Sequence, residues 1–329
     1  MTGSRERTLL PSDELPLISA KVLRELVSMA DAIEASSRGF AAAARGEIRV
    51  PLRSTLCSDR VLIMPAEHVS GSGVIKVICP ALGAAKGVAP GVDGTVLWID
   101  GDSGTVGALL DVTTLTALRT GAASGLATSL LARPDAAVLA MIGCGLQAMD
   151  QIDAICTVRP IGEIRLHSRN HRHSLVLREQ VRAARPGVRC QTVRTPAEAV
   201  RGADVVCTAT RSTAPLFAAA DLGSSVHINA IGAFRPDMCE VPSEAFKKAD
   251  LVVVDQVDAA LAEAGDVIQA LAAGALVREE LIQIGSLIGT YATSRGGVTI
   301  FKSVGIAAQD WSMAELSVRR AREAGLLPG

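Results

Sequence analysis

The spacing of apolar and polar positions changes twice along this chain. Between Ser19 and Gly46 apolar residues recur at helical spacing. Val22, Leu23, Leu26 and Val27 mark a first helix, and Ile33, Phe40, Ala41 and Ala44 a second that ends at Gly46. From Ile48 to Leu110 the runs shorten to strand length. VLIMP, VIKVICP, GTVLWIDG and GTVGALLD are the clearest, most of them bounded by glycine or proline, and they predict an antiparallel or mixed sheet. From Ala136 onward apolar runs alternate with helical stretches. Strands are expected at 136–142, 163–168, 189–193, 205–209, 226–231 and 251–255, the pattern of a parallel sheet with right-handed crossovers. A further strand within Gly296–Gly305 precedes a last helix running from about Ile306 through Glu315, Val318 and Ala321. The fold class is α/β: a doubly wound Rossmann sheet beside a smaller α+β part. If the last helix packs back on the N-terminal half, residues 1–123 and 306–329 form one discontinuous domain around 124–305.

The stretch AAVLAMIGCGLQAMD, Ala136 to Asp150, joins a buried strand to a helix through Gly143-Cys144-Gly145-Leu146-Gln147-Ala148. This fits G-x-G-x-x-G/A. Gly143 suits the tight turn, Gly145 lets backbone approach a pyrophosphate, and Ala148 lets the helix pack closely on the strand. The helix, expected over 147–157, would point its unpaired N–H groups and positive dipole end at the phosphates. Cys144 is read as a small residue that fits the turn. Ligands of such sheets sit beyond the carboxyl ends of the strands. Cofactor contacts are therefore expected from Leu146 and Gln147, from Thr208, Ala209 and Thr210, from Ala230 and Gly232, and from Ser303 and Val304, with Thr120 on the preceding helix. A carboxylate about 20 residues past the fingerprint would bind a ribose 2′-hydroxyl. The chain instead has Ser168, Arg169, Asn170 and Arg172 there, suited to a 2′-phosphate, so NADP(H) is expected over NAD(H).

Three cations stand out near the first sheet: Arg53 in VPLRS, Lys76 in VIKVICP and Arg119 in TALRTGAASGLA. Read alone, each is either a solvated charge or a ligand contact. Lys76 interrupts an apolar strand and has no local acid, which points to a ligand anion as its partner.

Composition narrows the function classes. Of 329 residues 49% are hydrophobic but only 2% aromatic, so the core must be built from Ala, Val, Leu and Ile. A net charge of −1 with mixed signs suggests neither a nucleic-acid partner nor a membrane surface. No apolar run approaches the roughly 18 residues of a membrane span, and the charged N-terminal stretch has no secretory core. Seven dispersed cysteines without a C-x-x-C pair suggest reduced, packed thiols in a cytoplasmic protein, and no metal site is expected.

Together these motifs resemble the ornithine cyclodeaminase/mu-crystallin family. The resemblance is carried by VPLR (50–53), MP (64–65), IKVICP (75–80), LTALRTGAASGLA (115–127), IGCGLQA (142–148), VVCTAT (205–210), HINAIGAFRPDM (227–238) and IFKSVGIAAQDW (300–311). It implies a Rossmann domain joined to a discontinuous substrate and dimerisation domain, in a homodimer. It also implies that Arg53, Lys76 and Arg119 hold a substrate α-carboxylate, with Lys76 and Arg119 as catalytic residues. The family's ornithine cyclodeaminases and some of its alanine dehydrogenases have an Asp after the NAxG motif, where it handles the substrate amine. Here that position is Phe234, which can form an apolar wall but cannot orient an ammonium.

The reading that follows is an NAD(P)H-dependent reductase of Δ1-pyrroline-2-carboxylate and Δ1-piperideine-2-carboxylate. Phe234 and Ser303 would line its substrate site. Water, an iminium substrate or a hydroxyl such as that of Ser303 would supply the proton. Ornithine cyclodeaminase, an alanine-type dehydrogenase and a mu-crystallin-like NADP- and ligand-binding protein are the alternatives.

Overall fold

The computed structural model describes residues 15–57, 60–80, 92–289 and 296–327. The charged N-terminal stretch, up to Glu14, lies outside the described residues. The first half runs β1 (Leu17–Ile18), α1 (Ala20–Leu26), α2 (Met29–Ala44), β2 (Ile48–Arg49), β3 (Ser54–Leu56), β4 (Val61–His68), β5 (Gly73–Pro80), β6 (Val92–Ile99), β7 (Val106–Asp111) and α3 (Val112–Leu131). Both N-terminal helices start where a serine caps them. Ser19 accepts from Val22 N–H, and Ser28 forms a reciprocal capping box with Asp31. The strands form a mixed sheet in the order β1-β7-β6-β5-β4-β2, with β3 on β4; only the β1–β7 pair is parallel. One face, carrying Leu62, Met64, Val74, Lys76, Val96 and Leu110, is buried. On the other, Ile63, Pro65, Ile75, Val77, Leu97 and Leu109 remain partly exposed.

The second half continues through β8 (Val138–Ile142), α4 (Ala148–Val158), β9 (Glu163–His167), α5 (His171–Ala184), β10 (Arg189–Thr192), α6 (Pro196–Val200), β11 (Val205–Thr208) and β12 (Val226–Ala230). It closes with α7 (Ser243–Lys248), β13 (Leu251–Val254), α8 (Val257–Glu263), α9 (Gly265–Ala272), β14 (Leu281–Gln283), α10 (Ile284–Leu287), β15 (Val298–Lys302) and α11 (Ala307–Glu323). The sheet is wholly parallel, in the order β10-β9-β8-β11-β12-β15-β13-β14. Its order reverses between β8 and β11, where open α/β sheets bind ligands. The doubly wound α/β expectation is met. The three-residue β14 was not foreseen.

Helix α3 lies between the two sheets. It is buried almost all round, contacts β6 and β7 on one side and β12 and β15 on the other, and runs unbroken through residue 123. Helix α11 returns to pack on α2, α3 and β4 to β6. These two helices carry Arg119, Gln309 and Asp310 toward Lys76 on β5. Among the described residues no helix is long and apolar enough to cross a membrane. The expectation of packed thiols needs correction at two positions. All seven cysteines are free, but Cys57, just after β3, and Cys79, near the end of β5, are exposed.

Candidate active site

Lys76 sits mid-sheet, opposite Met64 on β4 and Val96 on β6, and points toward α11. Its Nζ donates to Asp310 Oδ1 at 2.8 Å, and both side chains are fully buried. No acid lies near Lys76 in sequence, as expected, but the chain itself supplies a partner as well as any ligand anion. The partner lies 234 positions away, beyond the reach of local sequence. Arg119 approaches the same oxygen, Nε to Oδ1 3.3 Å, and donates from Nη1 to Gln309 Oε1 at 3.1 Å. Two cations thus share one carboxylate. Asp255 also acts on Arg119, but its oxygens are occupied by the Ser303 hydroxyl and the backbone N–H groups of Val304, Gly305 and Gln256. Burial, and next the adjoining Arg119, push the Lys76 pKa down to about 7. Burial likewise lowers that of Arg119.

Arg53 completes the group. Its Nη2 donates to the carbonyls of Val304 and Gly305 at 3.0 and 2.7 Å and lies 2.7 Å from Glu263 Oε2. The Arg119 guanidinium packs against the same Gly305, where a Cβ would come within 2.4 Å of Nη1. Arg53 and Arg119 therefore meet at residue 305, and Arg53 adds to the repulsion felt by Lys76. A cleft beside them is lined by Arg53, Met64, Gln256, Ala259, Glu263 and Ile306. Burial pushes the Glu263 carboxyl up against the lowering effect of Arg53.

The glycine turn forms at the carboxyl end of β8. Gly143 has φ +102°, and a Cβ there would lie 2.4 Å from the Ala209 carbonyl, so only glycine fits. At Gly145 the missing Cβ faces open space, which leaves its backbone approachable. Helix α4 starts at Ala148 without a side-chain cap, and Gln147 Oε1 is buried with no partner. A helix start without a side-chain cap beside an approachable glycine fits a dinucleotide pyrophosphate. Leu146 is exposed beside them.

The remaining expected contacts lie at neighbouring strand ends. Ser168, Arg169, Asn170 and Arg172 lead from β9 into α5, where Asn170 caps the helix by accepting from Arg172 N–H. Arg169 and Arg172 are exposed, and among the described residues neither forms an ion pair. Thr208, Ala209 and Thr210 end β11; Ala230 and Gly232 end β12. Thr120 spends its hydroxyl on the Thr116 carbonyl at 2.6 Å. Ser303 donates to Asp255 at 2.9 Å, so its proton is directed away from a proton-donor role.

A model of the ornithine cyclodeaminase/mu-crystallin family matches residues 16–325. The chain belongs to that family. It is 35% identical over 320 residues to a Δ1-pyrroline-2-carboxylate reductase of Bacillus cereus, spanning 94% of this chain and 98% of that one. The structure of the Thermococcus litoralis Δ1-pyrroline-2-carboxylate reductase with NADH and L-proline matches with a TM-score of 0.88. Identity is 31%, over 94% of this chain and 98% of the other. An archaeal alanine dehydrogenase dimer with bound NAD matches with a TM-score of 0.87 at 29% identity, over 95% and 98%.

Phe234 follows the end of β12 and is partly buried against the main core. The sequence alone pointed to none of the acids that hold the site together: Asp310, Glu263, Asp255, and the Glu240 and Asp266 described below. The stretch IFKSVGIAAQDW carries Asp310 and was in view, but an Asp in the first turn of a helix reads as an ordinary helix charge.

Proposed function

We propose that this chain is an NAD(P)H-dependent reductase of small cyclic imino acids, converting Δ1-pyrroline-2-carboxylate to L-proline and Δ1-piperideine-2-carboxylate to L-pipecolate. The carrying observation is the convergence of three cations, with Lys76 and Arg119 sharing Asp310 and Arg53 meeting Arg119 at Gly305. A substrate carboxylate would take charge-assisted bonds from several of these donors, which would fix its orientation. Phe234 would wall the ring, where a family member acting on a free amine has an acid. The dinucleotide would be held by the Gly143–Gln147 turn and the ends of β11, β12 and β15. A bound reduced nicotinamide would supply the hydride to the imine carbon. The chain's own part is to hold the carboxylate and exclude water. The relatives named for Δ1-pyrroline-2-carboxylate reduction support this reading.

The test is loss of reduced-nicotinamide absorbance with each imino acid. Steady turnover is expected; tight cofactor binding without turnover would favour a ligand-binding protein instead.

NADPH is proposed over NADH because Arg169 and Arg172 stand where an acid would read a ribose hydroxyl. Arg169→Ala should raise the NADPH KM roughly tenfold or more, the loss of one charge-assisted contact, and leave the NADH KM nearly unchanged. Equal effects on both cofactors would remove Arg169 from 2′-phosphate recognition. A homodimer in the cytoplasm is also proposed. The partly exposed apolar face of the first sheet, centred on Ile75 and Val77, is a surface that a second copy would cover, as the dimeric alanine dehydrogenase suggests.

A further inference from the structure

Glu240 lies outside every motif that carried the family resemblance, yet it is fully buried and accepts five hydrogen bonds. Its Oε1 accepts from the Thr210 N–H at 2.6 Å and the Thr210 hydroxyl at 2.8 Å. Its Oε2 accepts from the Thr208 hydroxyl at 3.0 Å, the Gly232 N–H at 2.7 Å and the Ala233 N–H at 3.2 Å. One carboxylate therefore ties the loop after β11 to the loop after β12. The two loops also touch directly. A Cβ at Gly232 would lie 2.3 Å from the Thr210 carbonyl and 2.5 Å from Glu240 Oε1.

Glu240 is itself held from behind. The N–H groups of Glu240 and Val241 donate to Asp266 Oδ1 at 2.6 and 3.0 Å, and Asp266 Oδ2 lies 2.7 Å from Lys302 Nζ at the end of β15. Lys302 and Asp266 are both fully buried, and Lys302 precedes Ser303. The chain of contacts thus runs through three strand ends, β11, β12 and β15. Burial pushes the Glu240 carboxyl up, and the nearby Lys302 ammonium pulls it back toward the ionised form. The ionised form is the one that can accept on both oxygens.

We infer that Glu240 is a positioning residue for the cofactor: it sets the spacing of the Thr208–Thr210 and Gly232–Ala233 loops that would flank the dinucleotide. This rests on the dinucleotide reading of the sheet but not on the identity of the substrate. The chemistry makes the role sensitive to one atom. In Glu240→Gln the new NH2 must replace either Oε1, where it faces the Thr210 N–H, or Oε2, where it faces those of Gly232 and Ala233. Either choice opposes donor to donor and forces the loops apart.

The test measures NADPH and NADH binding by quenching of tryptophan fluorescence, beside the steady-state constants. Glu240→Gln should weaken NADPH binding roughly tenfold or more, as expected where backbone donors lose an ionised acceptor. The KM for Δ1-pyrroline-2-carboxylate at saturating cofactor should stay within about twofold, because the cations do not touch Glu240. Glu240→Asp, which keeps the charge on a shorter arm, should recover part of the affinity. A purely structural role would lower the melting temperature while leaving the cofactor affinity of the folded protein unchanged, and that result overturns the inference. If Glu240→Gln does not fold, Glu240→Asp decides, since it keeps the charge but shortens the arm that ties the two loops. Weakened cofactor binding in that variant supports the role, and unchanged binding overturns it. Unmutated protein that binds neither nucleotide would instead bring down the dinucleotide reading, and this inference with it.

Discussion

Lys76→Met is expected to lower kcat/KM for an imino-acid substrate by roughly a thousandfold while the protein stays folded. One charge-assisted bond is worth about 1.5–3 kcal/mol, roughly ten- to hundredfold, and a substrate displaced by about 1 Å loses about a further hundredfold. The fold tolerates the change because Asp310 keeps Arg119 as its partner. Removing Lys76 also removes a buried ammonium whose desolvation works against it. Asp310→Asn should do the opposite. It leaves Lys76 and Arg119 buried together without a carboxylate, a loss of about 3–5 kcal/mol and a melting temperature lower by several degrees. Should Lys76→Met unfold the protein or leave kcat/KM unchanged, the clamp fails at this position.

The same lysine gives the site a pH signature. With its pKa pushed down to about 7 by burial, Lys76 is protonated below that pH and neutral above it, and a carboxylate binds the protonated form. The inhibition constant of furan-2-carboxylate, a flat acid with nothing else titrating near neutrality, should be level below about pH 7 and rise above it. Lys76→Arg, charged throughout, should abolish that rise.

The parallel half of the fold was legible because strands such as β8 and β13 are continuous apolar runs with turn residues between them. Their order in space was not. β15 comes last along the chain but lies between β12 and β13, and no local spacing encodes that insertion. Strand β14, three residues long, is too short to show a period. Of the site, the Gly143–Ala148 turn could be read because its requirements are local, and Lys76 because a cation in an apolar strand is conspicuous. The acids could not be read. Asp310 and Glu240 sit in ordinary polar surroundings along the chain, and become buried partners only when α11 and the loop before α7 fold onto distant strands.

The other large effect expected is an absence of activity, and it turns on Phe234. Cyclodeamination of ornithine needs a group that orients the amine and takes or relays its proton, and geometry comes before pKa in choosing it. Phe234 has no lone pair and no donor. Arg235 is a permanent cation, and it is already paired with Asp237 at 3.0 Å. The apolar wall proposed at Phe234 would favour a flat ring whose one charge is its carboxylate. Phe234→Asp should therefore weaken imine reduction by setting a charge against that ring. The decisive measurement compares the unmutated protein on two substrates: NADPH oxidation with Δ1-pyrroline-2-carboxylate, and release of ammonia and proline from ornithine with oxidised cofactor. Rapid imine reduction, with ammonia no higher than in an enzyme-free control, is the predicted result; ornithine conversion at a rate rivalling imine reduction would contradict the account.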